Sequence, residues 1–247
     1  MTVIAGNWKM HLGPEATVSF FERLSLEGVP KDREVIVFPP AVSLAAAASA
    51  PEREARVHLG VQSIHWEDHG AFTGETSAPM ALEAGARFAL IGHSERRHVF
   101  GETDEQVAMK VAAARRHRLV PVVCLGETLE ERRAGRVDEV ILRQLGAALE
   151  TLGREGRSLI AYEPVWAIGT GETATPEDAS AAHATLRRRL AEAWGGEAAA
   201  RVALLYGGSV KPENAAELLA APEVDGVLVG GASLDPGSFA KIAAAGA

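Results

Sequence analysis

Three side chains able to transfer a proton or supply charge follow short apolar runs of the sequence. Lys9 comes soon after VIAGN, His93 directly follows FALIG, and Glu163 directly follows LIAY. A lysine supplies a positive charge, a histidine donates or accepts a proton, and a glutamate serves as a general base. If the fold brings the ends of these runs together, the set predicts acid–base chemistry beside an anion.

Two glycine pairs follow the last two apolar runs. Gly207-Gly208 precede Ser209, and Gly230-Gly231 precede Ala232-Ser233, a predicted start of a short helix. Glycine allows backbone N–H groups to approach an oxyanion closely. A tight turn explains one such pair, but two pairs with a serine favour a phosphate site.

Glu163 has two interpretations, a general base or a solvated carboxylate at the rim. Pro164 restricts the glutamate to extended backbone. The apolar stretch VWAI (165–168) stands where a loop is expected, before Gly169. These features favour a mobile lid that excludes water and raises the pKa of the Glu163 carboxyl.

His93 and Lys9 each have a predicted setting. The residues after His93 read as a helix start, and a helix N-terminus disfavours an imidazolium, so we expect a neutral ring that donates a hydrogen bond. Lys9 lies two residues after Asn7, and strand alternation predicts that both side chains face the same way.

Two further features carry weaker signals. His65 and His69 are four residues apart with carboxylates between them, which raises the question of a metal. No helix is expected there to align them, so we predict no metal site. Cys124 is the single cysteine. It follows an apolar run with no histidine close behind, so we expect a buried supporting residue and not a nucleophile.

The elements that position these residues recur along the chain. Eight β-rich runs lie about 32 residues apart on average, close to the length of a strand–helix unit. Most are continuously apolar, as is typical of parallel strands buried on both faces. The runs begin near Val3, Val35, Val57, Phe88, Val120, Leu159, Val202 and Val227.

Helix signals fall between these runs. Thr103 to Gln106 has the form of a capping box, and Thr175-Pro176 and Asp235-Pro236 place an N-cap before a first-turn proline. Apolar residues from Val137 to Leu152 follow one helix face. Eight strand–helix units predict a single α/β domain over residues 1–247, a closed (β/α)8 barrel with eight parallel strands and an outer helical layer. The alternative, an open doubly wound sheet, would show a G-x-G-x-x-G motif after its first strand, which is absent.

Composition narrows the class of protein. The chain has 247 residues and a formal net charge of −8, which argues against a nucleic-acid binder. No apolar run is long enough to span a membrane, so a cytoplasmic protein is predicted. The sequence holds 45 Ala and 20 Arg but only 5 Lys and 2 Asn. Heat adaptation and a GC-rich genome both account for that skew.

Seven motifs, in order along the chain, resemble those of the triosephosphate isomerase family over essentially its whole length. They are GNWK (6–9), GAFTGE (70–75), IGHSERR (91–97), CLGE (124–127), YEPVWAIGTG (162–171), YGGSV (206–210) and GVLVGGASL (226–234). The resemblance implies a TIM barrel. It also implies interconversion of dihydroxyacetone phosphate and D-glyceraldehyde 3-phosphate through an enediol(ate), in glycolysis and gluconeogenesis, with no metal and no cofactor.

The resemblance also implies residue roles. Glu163 matches the general base, His93 the neutral electrophile, and Lys9 the cation that stabilises the enediolate. The other substrate-binding positions are Asn7, Gly169, Ser209, Gly230 and Gly231, and the supporting residues behind them are Glu95, Ser94 and Cys124. The implied lid comprises Pro164, Val165, Trp166, Ala167, Ile168, Gly169 and Thr170.

The GAFTGE motif implies a homodimer interface at Thr73, Gly74 and Glu75, with a tetramer as an alternative. Two other functions stay open at this point. A metal-dependent pentose-phosphate epimerase would carry paired histidines and aspartates at its strand ends. A non-catalytic barrel that serves as a binding protein would have lost Lys9, His93 or Glu163.

Overall fold

Eight parallel strands close into a barrel in chain order in the computed structural model, which describes residues 1–168 and 174–246. Each strand pairs with the next, and β8 pairs with β1. The predicted (β/α)8 barrel is therefore confirmed, with strand starts within two residues of those expected. The strands are β1 Thr2–Asn7, β2 Arg33–Phe38, β3 Val57–Val61, β4 Phe88–Ile91, β5 Val120–Leu125, β6 Leu159–Tyr162, β7 Ala203–Tyr206 and β8 Gly226–Val229.

Helices surround the barrel and connect its strands. Short 3-10 helices at Val165–Ala167 and Gly231–Leu234 follow β6 and β8. The α-helices are α1 Pro14–Arg23, α2 Ala41–Ser49, α3 Ala78–Glu83, α4 Ser94–His98, α5 Asp104–Arg116, α6 Leu129–Arg133, α7 Val137–Leu152, α8 Pro176–Trp194, α9 Gly196–Ala200, α10 Ala215–Ala220 and α11 Pro236–Ala244.

Alternate strand residues divide between two apolar cores. In β1, Val3 and Ala5 belong to the cluster inside the barrel, whereas Ile4 packs in the larger cluster between strands and helices. Cys124 of β5 faces the interior with the first group. Since both faces of every strand are covered, apolar side chains suit nearly every strand position.

The predicted helix starts are present. The side chain of Thr103 accepts a hydrogen bond from the backbone N–H of Gln106, whose side chain bonds back to form a capping box. Thr175 caps α8 in the same way, and the Asp235 carboxylate accepts from the N–H of Ser238. Each of these caps sets the residue at which its loop ends and its helix begins.

The buried face of α7 follows the predicted spacing, with one polar residue in it. Val140, Ile141 and Leu145 are buried as expected, and Gln144 is buried among them. Across the described parts of the chain, 1–168 and 174–246, no helix is long and apolar enough to cross a membrane.

Candidate active site

A cavity of about 270 Å³ opens at the carboxyl ends of the strands. The lining residues belong to five strands, β1, β4, β6, β7 and β8, or to the loops that follow them, so residues far apart in the sequence meet in one place. The lining residues are Asn7, Lys9, His93, Glu163, Ile168, Gly207, Gly208, Ser209, Val210, Lys211, Leu228, Gly230, Gly231 and Ala232.

Glu163 and His93 contact each other in this cavity. Oε1 of Glu163 lies 3.0 Å from Nε2 of His93, and Oε2 accepts a hydrogen bond of 2.8 Å from the backbone N–H of Ser94. The Glu163 side chain is 2% exposed. The interpretation of Glu163 as a solvated carboxylate at the rim was therefore wrong.

The pKa of Glu163 is lowered in this arrangement, whereas the sequence predicted a raised pKa for a site that a lid has desolvated. Burial raises it, but the charge and hydrogen bond of His93, the N–H of Ser94 and the charge of Lys9 together lower it by more. The net pKa lies below 4.5, so the carboxylate is ionised in this arrangement. The raised pKa that was expected requires the contact with His93 to be broken.

His93 caps α4, and this position orients its ring. Nδ1 accepts a hydrogen bond of 3.2 Å from the backbone N–H of Glu95, so the ring proton lies on Nε2, which faces Glu163. Burial lowers the pKa of His93, but the charge and hydrogen bond of Glu163, together with the charge of Glu95, raise it above its usual value. The helix terminus alone would favour a neutral ring, but the Glu163 carboxylate that contacts the ring acts in the opposite direction.

Lys9 lies beyond the end of β1, in left-handed backbone with φ of 52°. Strand alternation was therefore the wrong reason for expecting Asn7 and Lys9 to face the same cavity. The Asn7 side chain accepts from the N–H of Lys9 at 3.0 Å, and the amide of Gln62 donates to the Lys9 carbonyl at 2.8 Å. A non-glycine residue in this region is strained, and strain of this kind concentrates at functional sites.

The ammonium of Lys9 has a carboxylate partner. Nζ lies 2.6 Å from Oε1 of Glu95, whose other oxygen is 3.7 Å from Nδ1 of His93. Both side chains of the pair are partly exposed, so the ammonium can also face the cavity. Glu95 thus contacts both Lys9 and His93 without lining this cavity itself.

The glycine pairs lie on one side of the same cavity. A Cβ on Gly207 would lie 2.9 Å from Cγ of Glu163, so glycine leaves room for the carboxylate. The Asn214 side chain donates to the carbonyl of Ser209 at 3.0 Å and accepts from the N–H of Lys211, which orders that turn. The predicted short helix begins at Gly231.

The first part of the predicted lid begins directly after Glu163. Val165–Ala167 form a 3-10 helix, Ala167 is buried, and Ile168 lines the cavity. The indole N–H of Trp166 donates to Glu127 at 2.8 Å. Gly169 and Thr170, predicted as substrate-binding and lid residues, lie outside the described residues.

Several supporting residues were missed or only partly anticipated. Cys124 is fully buried, and burial raises the pKa of its thiol well above 9.0, so it stays protonated. Glu127 is also fully buried, and burial raises its pKa, although Trp166 and Tyr162 donate hydrogen bonds to it. The sequence signal for Glu127 was its position at the end of the CLGE motif, directly after an apolar run.

A second buried carboxylate supports the loop that carries His93. Glu102 accepts from the N–H of Gly92 at 3.1 Å and pairs with the buried Lys110 at 2.5 Å. Lys110 also donates to Ser63 at 3.1 Å. Only the low number of lysines in the sequence pointed to Lys110.

The long segment after β3 holds the remaining predicted residues away from the cavity. Thr73, Gly74 and Glu75 are exposed. Nδ1 of His65 accepts from the N–H of Glu67, and its ring stacks on Trp66. Within residues 1–168 and 174–246, no three His, Cys, Asp or Glu side chains converge as metal ligands would.

A closed (β/α)8 barrel with a lysine, a histidine and a glutamate converging at the carboxyl ends of its strands belongs to the class of barrel enzymes with acid–base sites. Comparison with known proteins identifies the particular family. The profile of the family described as triosephosphate isomerase matches residues 2–246.

Relatives named triosephosphate isomerase support the same assignment. One from Symbiobacterium thermophilum is 52% identical over 248 residues, covering 99% of this chain and 96% of the relative. One from Moorella thermoacetica is 51% identical, covering 97% and 96%, and one from Chloroflexus aurantiacus is 50% identical, covering 97% of each. The chain belongs to the triosephosphate isomerase family, and it is an isomerase of triose phosphates.

Proposed function

We propose that Glu163, His93 and Lys9 carry out the interconversion of dihydroxyacetone phosphate and D-glyceraldehyde 3-phosphate in this chain, within a single catalytic domain. Glu163 removes a proton from the carbon next to the carbonyl and returns it to the neighbouring carbon. The observation that carries the proposal is the contact between Glu163 and His93 beside Lys9, at the wall formed by the glycine pairs.

The contact between Glu163 and His93 belongs to the enzyme without substrate. The proposed reaction needs the Glu163 carboxylate to accept a proton from the substrate and the N–H at Nε2 of His93 to donate to its carbonyl. In this structure Oε1 of Glu163 and Nε2 of His93 contact each other instead. A substrate carbonyl that accepts from Nε2 separates the pair. That separation removes the main cause of the raised pKa of His93 and the main cause of the lowered pKa of Glu163.

Substrate binding thus prepares both groups for their steps. His93 becomes a neutral donor that polarises the carbonyl, since the N–H of Glu95 keeps Nδ1 unprotonated. Glu163 becomes more basic in a buried site. The enediolate oxygens lie between Nε2 of His93 and Nζ of Lys9, where a proton donor and a cation stabilise the developing charge.

The phosphate is held by backbone groups and one cation. We place it at Ser209, Gly230 and Gly231, and also at Gly169, with Lys9 adding a positive charge. A Cβ on Gly230 would lie 3.8 Å from Cε of Lys9, so the lysine runs alongside this glycine. Glycine at these positions permits the close approach that an oxyanion needs.

The apolar segment after Glu163 serves as the beginning of a lid. Ile168 already lines the cavity, and Trp166 is held by Glu127. Closure over the substrate excludes water and strengthens the electrostatic stabilisation of the enediolate. No metal or organic cofactor is required, because the carbonyl itself acidifies the proton.

A homodimer is the proposed assembly. Met10, Phe72 and Phe100 are exposed apolar side chains, and Phe100 lines one surface pocket with Met10 and another with Phe72 and Thr73. This continuous apolar surface beside Lys9 and Glu95 is what a second copy would cover. A tetramer requires a further contact surface.

Two other predictions depend on the proposed function and on composition. A glycolytic isomerase acts in the cytoplasm, which is the proposed location. The low numbers of Asn and Lys are consistent with an adaptation of this protein to heat. A midpoint of thermal unfolding above about 65 °C would support that prediction.

A coupled assay tests the proposed function. The purified chain is given D-glyceraldehyde 3-phosphate after exhaustive chelation, and formation of dihydroxyacetone phosphate is followed. We expect full activity without added metal. An inactive folded chain would overturn the proposal, and activity that returns only with a divalent metal would overturn its metal-free mechanism.

A further inference from the structure

One glutamine side chain satisfies both backbone groups of a residue beside the proposed base. Gln144 of α7 is 3% exposed, on an otherwise apolar face. Its Oε1 accepts from the N–H of Gly126 at 2.8 Å, and its Nε2 donates to the Gly126 carbonyl at 3.3 Å. A polar side chain buried in this way is retained only when its hydrogen bonds are made.

Gly126 follows β5 at a point where the neighbouring strand β4 no longer pairs with it. The pairing of β4 with β5 ends at Ile91 and Val123. The carbonyls of Leu125 and Glu127 accept hydrogen bonds from the segment that follows β6. Since backbone groups of successive residues point to opposite sides of a strand, the N–H and carbonyl of Gly126 point towards β4, which no longer pairs with the chain at this level. The Gln144 amide takes the place of the missing strand.

The backbone of Glu163 rests directly on Gly126. A Cβ on Gly126 would lie 1.8 Å from the carbonyl oxygen of Glu163, so only glycine fits there. The N–H of Glu163 donates to the Leu125 carbonyl at 2.7 Å, and the N–H of Val165 donates to the Glu127 carbonyl at 3.1 Å. Any shift of Gly126 is therefore passed to the backbone that carries the base.

We propose that Gln144 is a positioning residue for Glu163, acting from the outer helical layer through the backbone of Gly126. The inference rests on the proposed role of Glu163 as the base. Misplacement of a reacting group by about 1 Å costs about a hundredfold in rate. Loss of the Gln144 amide should therefore lower kcat and leave KM almost unchanged, because neither Gln144 nor Gly126 lines the cavity that would hold the substrate.

Gln144→Met tests this by keeping the length of the side chain and removing both hydrogen bonds. We expect kcat to fall at least about tenfold and KM to change less than about twofold. Leu145→Ala is the matched control, since Leu145 is the next buried residue of α7 and only packs in the apolar cluster. It should lower the thermal midpoint and keep kcat. A folded Gln144→Met variant with wild-type kcat would overturn the proposal.

Gln144→Glu supplies a second test that does not depend on tolerance of the methionine. A neutral glutamic acid can accept from the N–H of Gly126 and donate its O–H to the carbonyl, whereas an ionised one repels that carbonyl. We expect near wild-type kcat at acidic pH and a loss of kcat as pH rises, which the wild type does not show. A pH profile parallel to that of the wild type would count against the proposal.

A double-mutant cycle separates this inference from the function on which it rests. If Gln144 acts through Glu163, Glu163→Asp combined with Gln144→Met loses less kcat than the product of the single effects. Effects that multiply fully would overturn the role of Gln144. If Glu163→Asp alone has no effect, the proposed base is wrong, whatever Gln144→Met does.

Discussion

Oε1 of Glu163 lies 3.0 Å from Nε2 of His93, so the proposed base and the proposed electrophile are hydrogen-bonded to each other in the free enzyme. Each lies in the motif that follows its strand, and the strands β4 and β6 are separated by β5 in the barrel. The contact lowers the pKa of Glu163 and raises that of His93, and in the proposed mechanism the substrate separates the two groups.

Shortening the base should slow the reaction without unfolding the protein. Glu163→Asp withdraws the carboxylate by one methylene, and we expect kcat to fall about a hundredfold with KM little changed. The coupled assay measures this, and the exposed Glu197→Asp serves as the control. Wild-type kcat in a folded Glu163→Asp variant would remove Glu163 from its assigned role.

Removing the histidine should move the acid side of the pH profile. His93→Asn removes the partner that lowers the pKa of Glu163, while burial continues to raise it. We expect kcat to fall by about 10² to 10⁴ and the acid limb of kcat/KM, which reports the free enzyme, to shift to higher pH. An acid limb that stays in place would show that His93 does not control the ionisation of Glu163.

The charge of Lys9 should matter for binding, and an arginine should not restore it. Lys9→Met removes a charged partner of the substrate, and we expect KM to rise at least about tenfold. Lys9→Arg should also be impaired, because a planar guanidinium does not reproduce a compact ammonium 2.6 Å from Glu95. Steady-state kinetics of both variants check this. Recovery of KM by arginine would contradict the geometric requirement.

The exposed apolar surface should prove to be the dimer contact. Phe100→Glu places a charge in it, and we expect a smaller species in light scattering after size-exclusion chromatography, with reduced kcat. Leu129→Glu is the matched control, since Leu129 is also partly exposed but lies at the start of α6. A dimer that survives Phe100→Glu and dissociates with Leu129→Glu would move the interface elsewhere.

A buried histidine far from the catalytic groups should make the fold sensitive to acid. Burial lowers the pKa of His183 to about 4, and Nδ1 bonds to the carbonyl of Glu223 at 2.8 Å. The unfolded chain binds a proton near pH 6.5, above the pKa of the folded state. The stability from this group is therefore complete above about pH 6.5 and is lost as pH falls towards 4, by up to about 3 kcal/mol.

His183→Asn checks the acid sensitivity. An asparagine amide can replace the Nδ1–H donor without titrating, so the free energy of unfolding should fall less between pH 7 and pH 4.5 than in the wild type. Urea unfolding at a fixed protein concentration gives this difference, with the exposed His69→Asn as the control. Equal pH dependence in wild type and His183→Asn would refute the assignment.

The amino-acid sequence by itself determined the barrel and most of the residues around its cavity. Strand and helix positions follow from local patterns, such as continuous apolar runs and the capping box at Thr103. In a parallel barrel all carboxyl ends of the strands meet at one rim, so Lys9, His93 and Glu163 could be grouped before any distance was known.

Only the tertiary structure decided how these groups act on one another. Lys9 has left-handed backbone, which departs from regular secondary structure. The contact of Glu163 with His93 and the hydrogen bonds of Gln144 to Gly126 join segments that are distant in the sequence. The pKa of a carboxyl depends on the charges and donors around it in three dimensions, which no local pattern encodes. For that reason the sequence pointed to Glu163, which lines the cavity beside His93, but not to the contact with His93 that lowers its pKa in this arrangement.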